Sequence, residues 1–138
     1  MTAASLPGTT HVVLNQVPPL ADINLFATNA ALRDAVRFND PALAHDSLAM
    51  LGEMAGSTHM QQHARLANIH SPTLHTHDRF GHRIDEVEFH PSYHLLLGAA
   101  LQHRLHGSPW ADGGPSHVER AAGFMLFTEL EPSVLCPV

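Results

Sequence analysis

The sequence predicts an all-α helical bundle, and three observations carry that prediction. Five stretches place apolar residues at helical spacing behind a capping residue or a proline. No segment carries a convincing sheet pattern. The most leucine-rich stretch, through Tyr93, Leu95, Leu96, Leu97, Ala99, Ala100 and Leu101, is apolar on nearly every side, as a helix buried in a bundle would be. With 138 residues, 44% of them apolar, the chain has the length of about one domain and enough apolar material for a core.

Met1–Thr9 reads as a disordered tail with Pro7-Gly8, and His11–Leu20 as an extended arm, because Pro18-Pro19 removes two donors and disfavours helix before it. A first helix is expected near Asn29 as N-cap, turning Ala30, Leu32, Ala35 and Val36 inward. Asp40-Pro41 offers an N-cap and N1 for a second helix running to about Ala55, with Gly56 as a left-handed stop. Ser57 can cap a third, with Met60, Ala64 and Ala67 on one face, ending before Pro72.

A turn and short-strand insert follows near residues 74–88, where Asp78-Arg79-Phe80-Gly81 suits a tight turn between short extended pieces. Pro91 opens the leucine-rich helix, expected to stop at Gly107. Ser108–Pro115 is a Pro/Gly loop holding Trp110. Ser116-His117-Val118-Glu119 is a capping box for a last helix with Ala121, Phe124, Met125 and Phe127 apolar, ended by Pro132.

Composition narrows the function. No apolar run reaches the roughly 18 residues of a membrane span, and Met1–Gly8 lacks the basic-then-apolar pattern of a secretory signal. One cysteine, Cys136, excludes an intrachain disulfide and is compatible with a reducing cytoplasm; as the third residue from the end it is expected to be idle. Seven Arg+Lys against 13 Asp+Glu leave a formal charge of −6, which nucleic-acid phosphates would repel. Arg33, Arg37, Arg65, Arg79, Arg83, Arg104 and Arg120 are scattered, so no DNA-binding surface is expected.

Thirteen histidines outnumber the lysines and arginines together. His59/His63 and His90/His94 stand at i, i+4, and His103/His106 at i, i+3, spacings that share a helix face and suit imidazole ligation. The zinc-protease pattern fails, because Met60 and Pro91 occupy the place of its glutamate. The bland reading is structural: His90 as a cap, His94 satisfying a partner in the bundle, and His103 and His106 at a helix C-terminus. No dedicated metal site is expected. A histidine-rich module sensing metal or pH is the alternative reading, since protonating all thirteen would carry the charge from −6 to +7.

The stretch from Asp78 to His94, DRFGHRIDEVEFHPSYH, resembles the N-terminal region of the AidB-like, adaptive-response branch of the acyl-CoA dehydrogenases. The resemblance includes His11–Leu20, Asn24-Leu25-Phe26, Ala64–Asn68, Pro109-Trp110, His117–Ala122 and Leu135-Cys136-Pro137, and so covers about residues 10–138. It implies the helical N-terminal domain of a flavoprotein family linked to acyl-CoA oxidation and the response to DNA alkylation. In that family FAD lies mainly between a middle β-domain and a C-terminal helical domain, which also carries the catalytic base. The resemblance therefore implies no catalytic, cofactor-binding or metal residue in this chain, and no FAD held by it alone.

Glu86, Glu88, Glu119, Glu129 and Glu131 are expected to be solvated or capping rather than a base. Glu131-Pro132-Ser133-Val134 stands where a small, glycine-containing turn is expected, so the last helix should end differently. The expectation is a truncated or split chain, not catalytically competent alone. It would self-associate or bind a companion chain carrying the flavin and C-terminal domains.

Overall fold

The computed structural model describes residues 14–138, so the expected tail and the first residues of the arm lie outside the described part. Leu14–Leu20 forms neither helix nor strand, and each of its residues is exposed. Six α-helices, two short 3-10 turns and one β-hairpin follow among the described residues. The mostly helical class is as expected, and so is the position of the two-stranded insert.

A one-turn helix that the sequence reading missed, α1 (Leu25–Thr28), comes first. Asn24 Oδ1 accepts from the amides of Phe26 and Ala27 at 3.1 and 3.0 Å, while its Nδ2 donates to Ala49 O at 2.9 Å. Phe26, only 2% exposed, anchors the turn in the core. Next, α2 (Ala30–Asn39) starts as expected at Asn29, whose Oδ1 accepts from the Leu32 amide at 3.0 Å. Leu32 and Val36 point inward, whereas Ala30 and Ala35 are exposed because they fall off that i, i+4 stripe.

Asp40-Pro41 does not open α3 (Asp46–Ala55). The Asp40 amide closes α2 on Val36 O at 2.8 Å, and Asp40 O accepts from the Leu43 amide at 3.1 Å. Aspartate at the first and proline at the second position of a β-turn is an equally good use of the dipeptide. Gly56, expected in a left-handed conformation, is right-handed at φ −80°. Its role is space: a Cβ there would stand 1.9 Å from Ile23 O, and one on Gly52 would stand 2.6 Å from the Phe26 amide. The pair lets the chain entering α1 cross α3 at backbone contact.

Ser57 caps α4 (Thr58–Ile69), accepting from the Met60 amide at 3.2 Å, and Met60 and Ala64 are buried. Asp22, at φ 56°, adds a second cap by accepting from Thr58 N at 2.8 Å and Thr58 Oγ1 at 2.7 Å. The antiparallel hairpin pairs β1 (Thr73–His77) with β2 (Arg83–Glu88), Leu74 opposite Val87. Its turn is held by Asp78 Oδ1, which accepts from Phe80 N at 2.8 Å and His82 N at 2.9 Å, with Gly81 at φ 89°.

The leucine-rich helix α5 (Pro91–Gln102) is capped by His90 Nδ1, which accepts from the Ser92 amide at 3.2 Å. It stops five residues before Gly107. Arg104 takes the left-handed conformation (φ 58°), Leu105 N reaches back to Ala100 O at 3.0 Å, and Arg104 N to Leu101 O at 2.9 Å. That is a Schellman closure with arginine in the usual glycine place, and buried Leu105 locks it. Nor is α5 buried all round. Ser92, Leu96 and Ala100 form its buried stripe, against α4 and the C-terminal turn, and Leu95 and Leu101 are exposed.

Ser116 caps α6 (His117–Leu130) by accepting from Glu119 N at 3.1 Å. The reciprocal half of the capping box is absent, because the Glu119 carboxylate accepts from Ser47 Oγ at 2.5 Å instead. The inward face is Ala122, Gly123, Leu126 and Phe127; Ala121 and Met125 face out. Leu48, Leu51, Leu96, Leu105, Leu126, Phe127 and Val134, each almost wholly excluded from solvent, form the centre of the core.

Candidate functional site

The expected histidine pairs separate into different roles. His90 is the cap of α5 and stacks on His70, ring centroids 4.7 Å apart and planes within 11°. His94 is exposed, edge-on to Phe89 and Tyr93, rather than satisfied inside the bundle. His103 is the C-cap of α5, and burial lowers its pKa below the ordinary imidazole value. His106 lies beyond that helix, with Nδ1 buried and unpartnered. Of the three expected pairs, only His59 and His63 meet, Nε2 to Nε2 at 3.3 Å.

The acidic residues also divide. Glu86, Glu88 and Glu129 are exposed, and Glu119 is a half-buried residue of the first turn of α6. Glu131 departs from expectation. It is only 3% exposed, accepting from the side-chain amide of Asn68 and, through Oε1, from Ser133 N at 2.8 Å and the Ser133 hydroxyl. The carboxylate ties the ends of α4 and α6 to the C-terminal 3-10 turn, which is why this corner needs no glycine. The signal available was Ser133 two residues after Glu131, a spacing that lets a carboxylate close a local turn.

Among the described residues, no three His, Cys, Asp or Glu side chains gather as a metal cluster. Cys136 is exposed and free. Two hollows remain. A cleft of about 380 Å³ lies between α3, the end of α5 and α6, floored by Leu48, Leu51 and Leu105 and edged by Arg104, Glu119 and Arg120. A groove of about 330 Å³ between α2 and α6 is lined by Leu32, Val36, Val118, Ala122 and Met125.

Arg120 shapes the edge of the cleft. Its guanidinium carbon stands 4.9 Å from the Phe124 ring and 5.5 Å from the Trp110 ring, and its Nε donates to His106 O at 2.8 Å. Around the hollows Phe38 (85% exposed), Trp110 and Met125 are open to solvent, as are Leu74, Phe80 and Val87 on the hairpin. Such apolar surface suits a protein neighbour better than a polar substrate.

The model of the adaptive response protein AidB N-terminal domain matches residues 15–138. The chain belongs to this family. Over 131 residues it is 39% identical to AidB of Escherichia coli K12, named as an acyl-CoA dehydrogenase, covering 94% of this chain and 24% of that protein. Solved structures share the fold of this AidB N-terminal domain. Caenorhabditis elegans ACDH-11 in complex with C11-CoA superposes with a TM-score of 0.69 at 17% identity, over 99% of this chain and 24% of that one. Bd2924 in its apo form gives a TM-score of 0.69 at 22% identity, over 80% and 23%. The AidB-type domain thus spans about a quarter of the length of the relatives it matches, and no helix among its described residues is long and apolar enough to cross a membrane.

Proposed function

We propose that this AidB N-terminal domain serves an acyl-CoA dehydrogenase flavoprotein as its helical docking piece and is not catalytically competent by itself. The flavin domain and the catalytic base would come from further domains, carried by a companion chain or joined to this one, and the assembly would work in the cytoplasm. The carrying observation is the outer side of α5. Leu95 and Leu101 stand exposed on a helix whose other side completes the core through Leu96 and Ala100. A helix apolar beyond its buried stripe has a second surface to cover. The −6 charge supports a protein neighbour over nucleic acid.

The experiment is size-exclusion chromatography of the chain alone and mixed with a polypeptide carrying the flavin and C-terminal domains of an AidB-type enzyme, followed in the protein and flavin absorbance bands. Co-elution of the colourless chain with the yellow one, weakened by Leu95→Asp with Leu101→Asp, supports the reading. A monomeric chain with no affinity for the flavin polypeptide overturns it.

A further inference from the structure

We propose that His59 and His63, on the first two turns of α4, form a surface site for a zinc-class divalent cation. The two imidazoles stand one helical turn apart and converge, ring centroids 4.6 Å apart, with their Nε2 atoms at 3.3 Å. Zinc binds imidazole nitrogen at about 2.0–2.1 Å, so two ligands on one edge of a tetrahedron stand roughly 3.3–3.4 Å apart. The separation matches that edge.

The second observation is the support behind His63. Its Nδ1 lies 2.9 Å from Ser92 Oγ, and Ser92 is only 2% exposed at the start of α5. Ser92 is itself fixed, because its amide donates to His90 Nδ1 at 3.2 Å. With Nδ1–H donated to the serine oxygen, His63 is held in the tautomer whose Nε2 lone pair faces His59. Metal-bound histidines are oriented in this way by a partner on the other ring nitrogen. Without a cation, His59 donates Nε2–H to His63 Nε2. When a cation arrives, His59 moves that proton to Nδ1, and both Nε2 lone pairs face the metal with no net proton released.

The chemistry selects the class of ion. Two neutral imidazoles favour borderline cations such as zinc, nickel and copper over the oxygen-seeking magnesium and calcium, and the tetrahedral edge favours zinc. Water completes the coordination, since no third protein donor gathers there among the described residues. His59 is exposed and so open to an arriving ion. Neither other pair offers this geometry: His90 Nδ1 is engaged by the Ser92 amide, and His103 and His106 stand on opposite sides of the left-handed Arg104.

Zinc chloride titrated calorimetrically into the metal-free chain should show one saturable site per chain and raise the Tm, with magnesium doing neither. His59→Ala, at an exposed position, should keep the circular dichroism spectrum and bind zinc at least tenfold more weakly. Ser92→Ala should weaken it about tenfold by freeing the His63 ring. His117→Ala, on α6, should bind as the parent does. Cobalt(II) bound to the parent should give the intense visible absorption of a tetrahedral site, absent from the His59→Ala chain. No saturable zinc binding overturns the proposal, and so does zinc binding that His59→Ala leaves undiminished, since the ion would then sit on other histidines.

Discussion

Asn68 donates its side-chain amide to the buried carboxylate of Glu131, a contact that spans 63 residues and joins the end of α4 to the end of α6. Both oxygens of that carboxylate are engaged, one by Asn68 and the other by Ser133. An engaged buried carboxylate is tolerable; its partners left alone are not, because each then carries its desolvation cost unmet. Glu131→Ala should therefore lower stability by about 1–3 kcal/mol in urea unfolding. Asn68→Ala should show a smaller loss, and the double variant should lose less than the sum, as expected of residues in contact. Strict additivity would show that the two side chains do not act together.

Gly56, which follows α3, and Gly98, within α5, should respond to alanine with opposite signs. A Cβ at Gly56 meets the Ile23 carbonyl, which is backbone and cannot rotate away. Gly56→Ala should cost about 1–3 kcal/mol or more by pushing the entrance to α1 off α3. Gly98, within α5, has nothing within 4 Å of the position a Cβ would take. There alanine gains helix propensity without a clash, and Gly98→Ala should raise stability by about 0.5–1 kcal/mol. Thermal melts of the two variants decide both signs.

Capping chemistry was the most legible part of the fold, because it is local. Asn29, Ser57, His90 and Ser116 each accept from the amide their sequence position suggests. The failures came where a residue's packing partner lies far along the chain, or where local chemistry allows two answers. Gly56 looked like a left-handed stop, and only the crossing segment near Ile23 explains it. Asp40-Pro41 satisfies a turn as well as a helix start, and nothing local separates the two. Arg104 closes α5 against residue propensity, because Leu105 has a place in the core. The convergence of His59 and His63 follows from their spacing, but the support from Ser92, 29 residues after His63, needed the packing of α4 on α5.

Acid should find the caps before the core. Asp22 has a pKa below the ordinary carboxylate value because Thr58 donates to it from its amide and then from its hydroxyl. Asp78 is lowered too, by His82 first through its side chain and then through its amide. A lowered folded-state pKa means stability that is present above the unfolded value, about 3.9, and lost as pH falls through the folded one. Asp22→Asn should flatten part of the decline in Tm below about pH 4 while lowering the plateau above it. An unchanged acid limb would remove Asp22 from this role.

His103 acts in a different window. Burial at the end of α5 lowers its pKa, so the folded chain takes up a proton there less readily than the unfolded chain does. Between the folded value and the ordinary value near 6.5, the unfolded state binds more protons. Stability should therefore fall as pH drops from about 6.5 through the folded value, and level off once both states are protonated. His103→Gln removes the titrating group, so its Tm should be flatter than the parent's between pH 7 and 5. A parent-like slope in His103→Gln would show that other groups set the stability in this range.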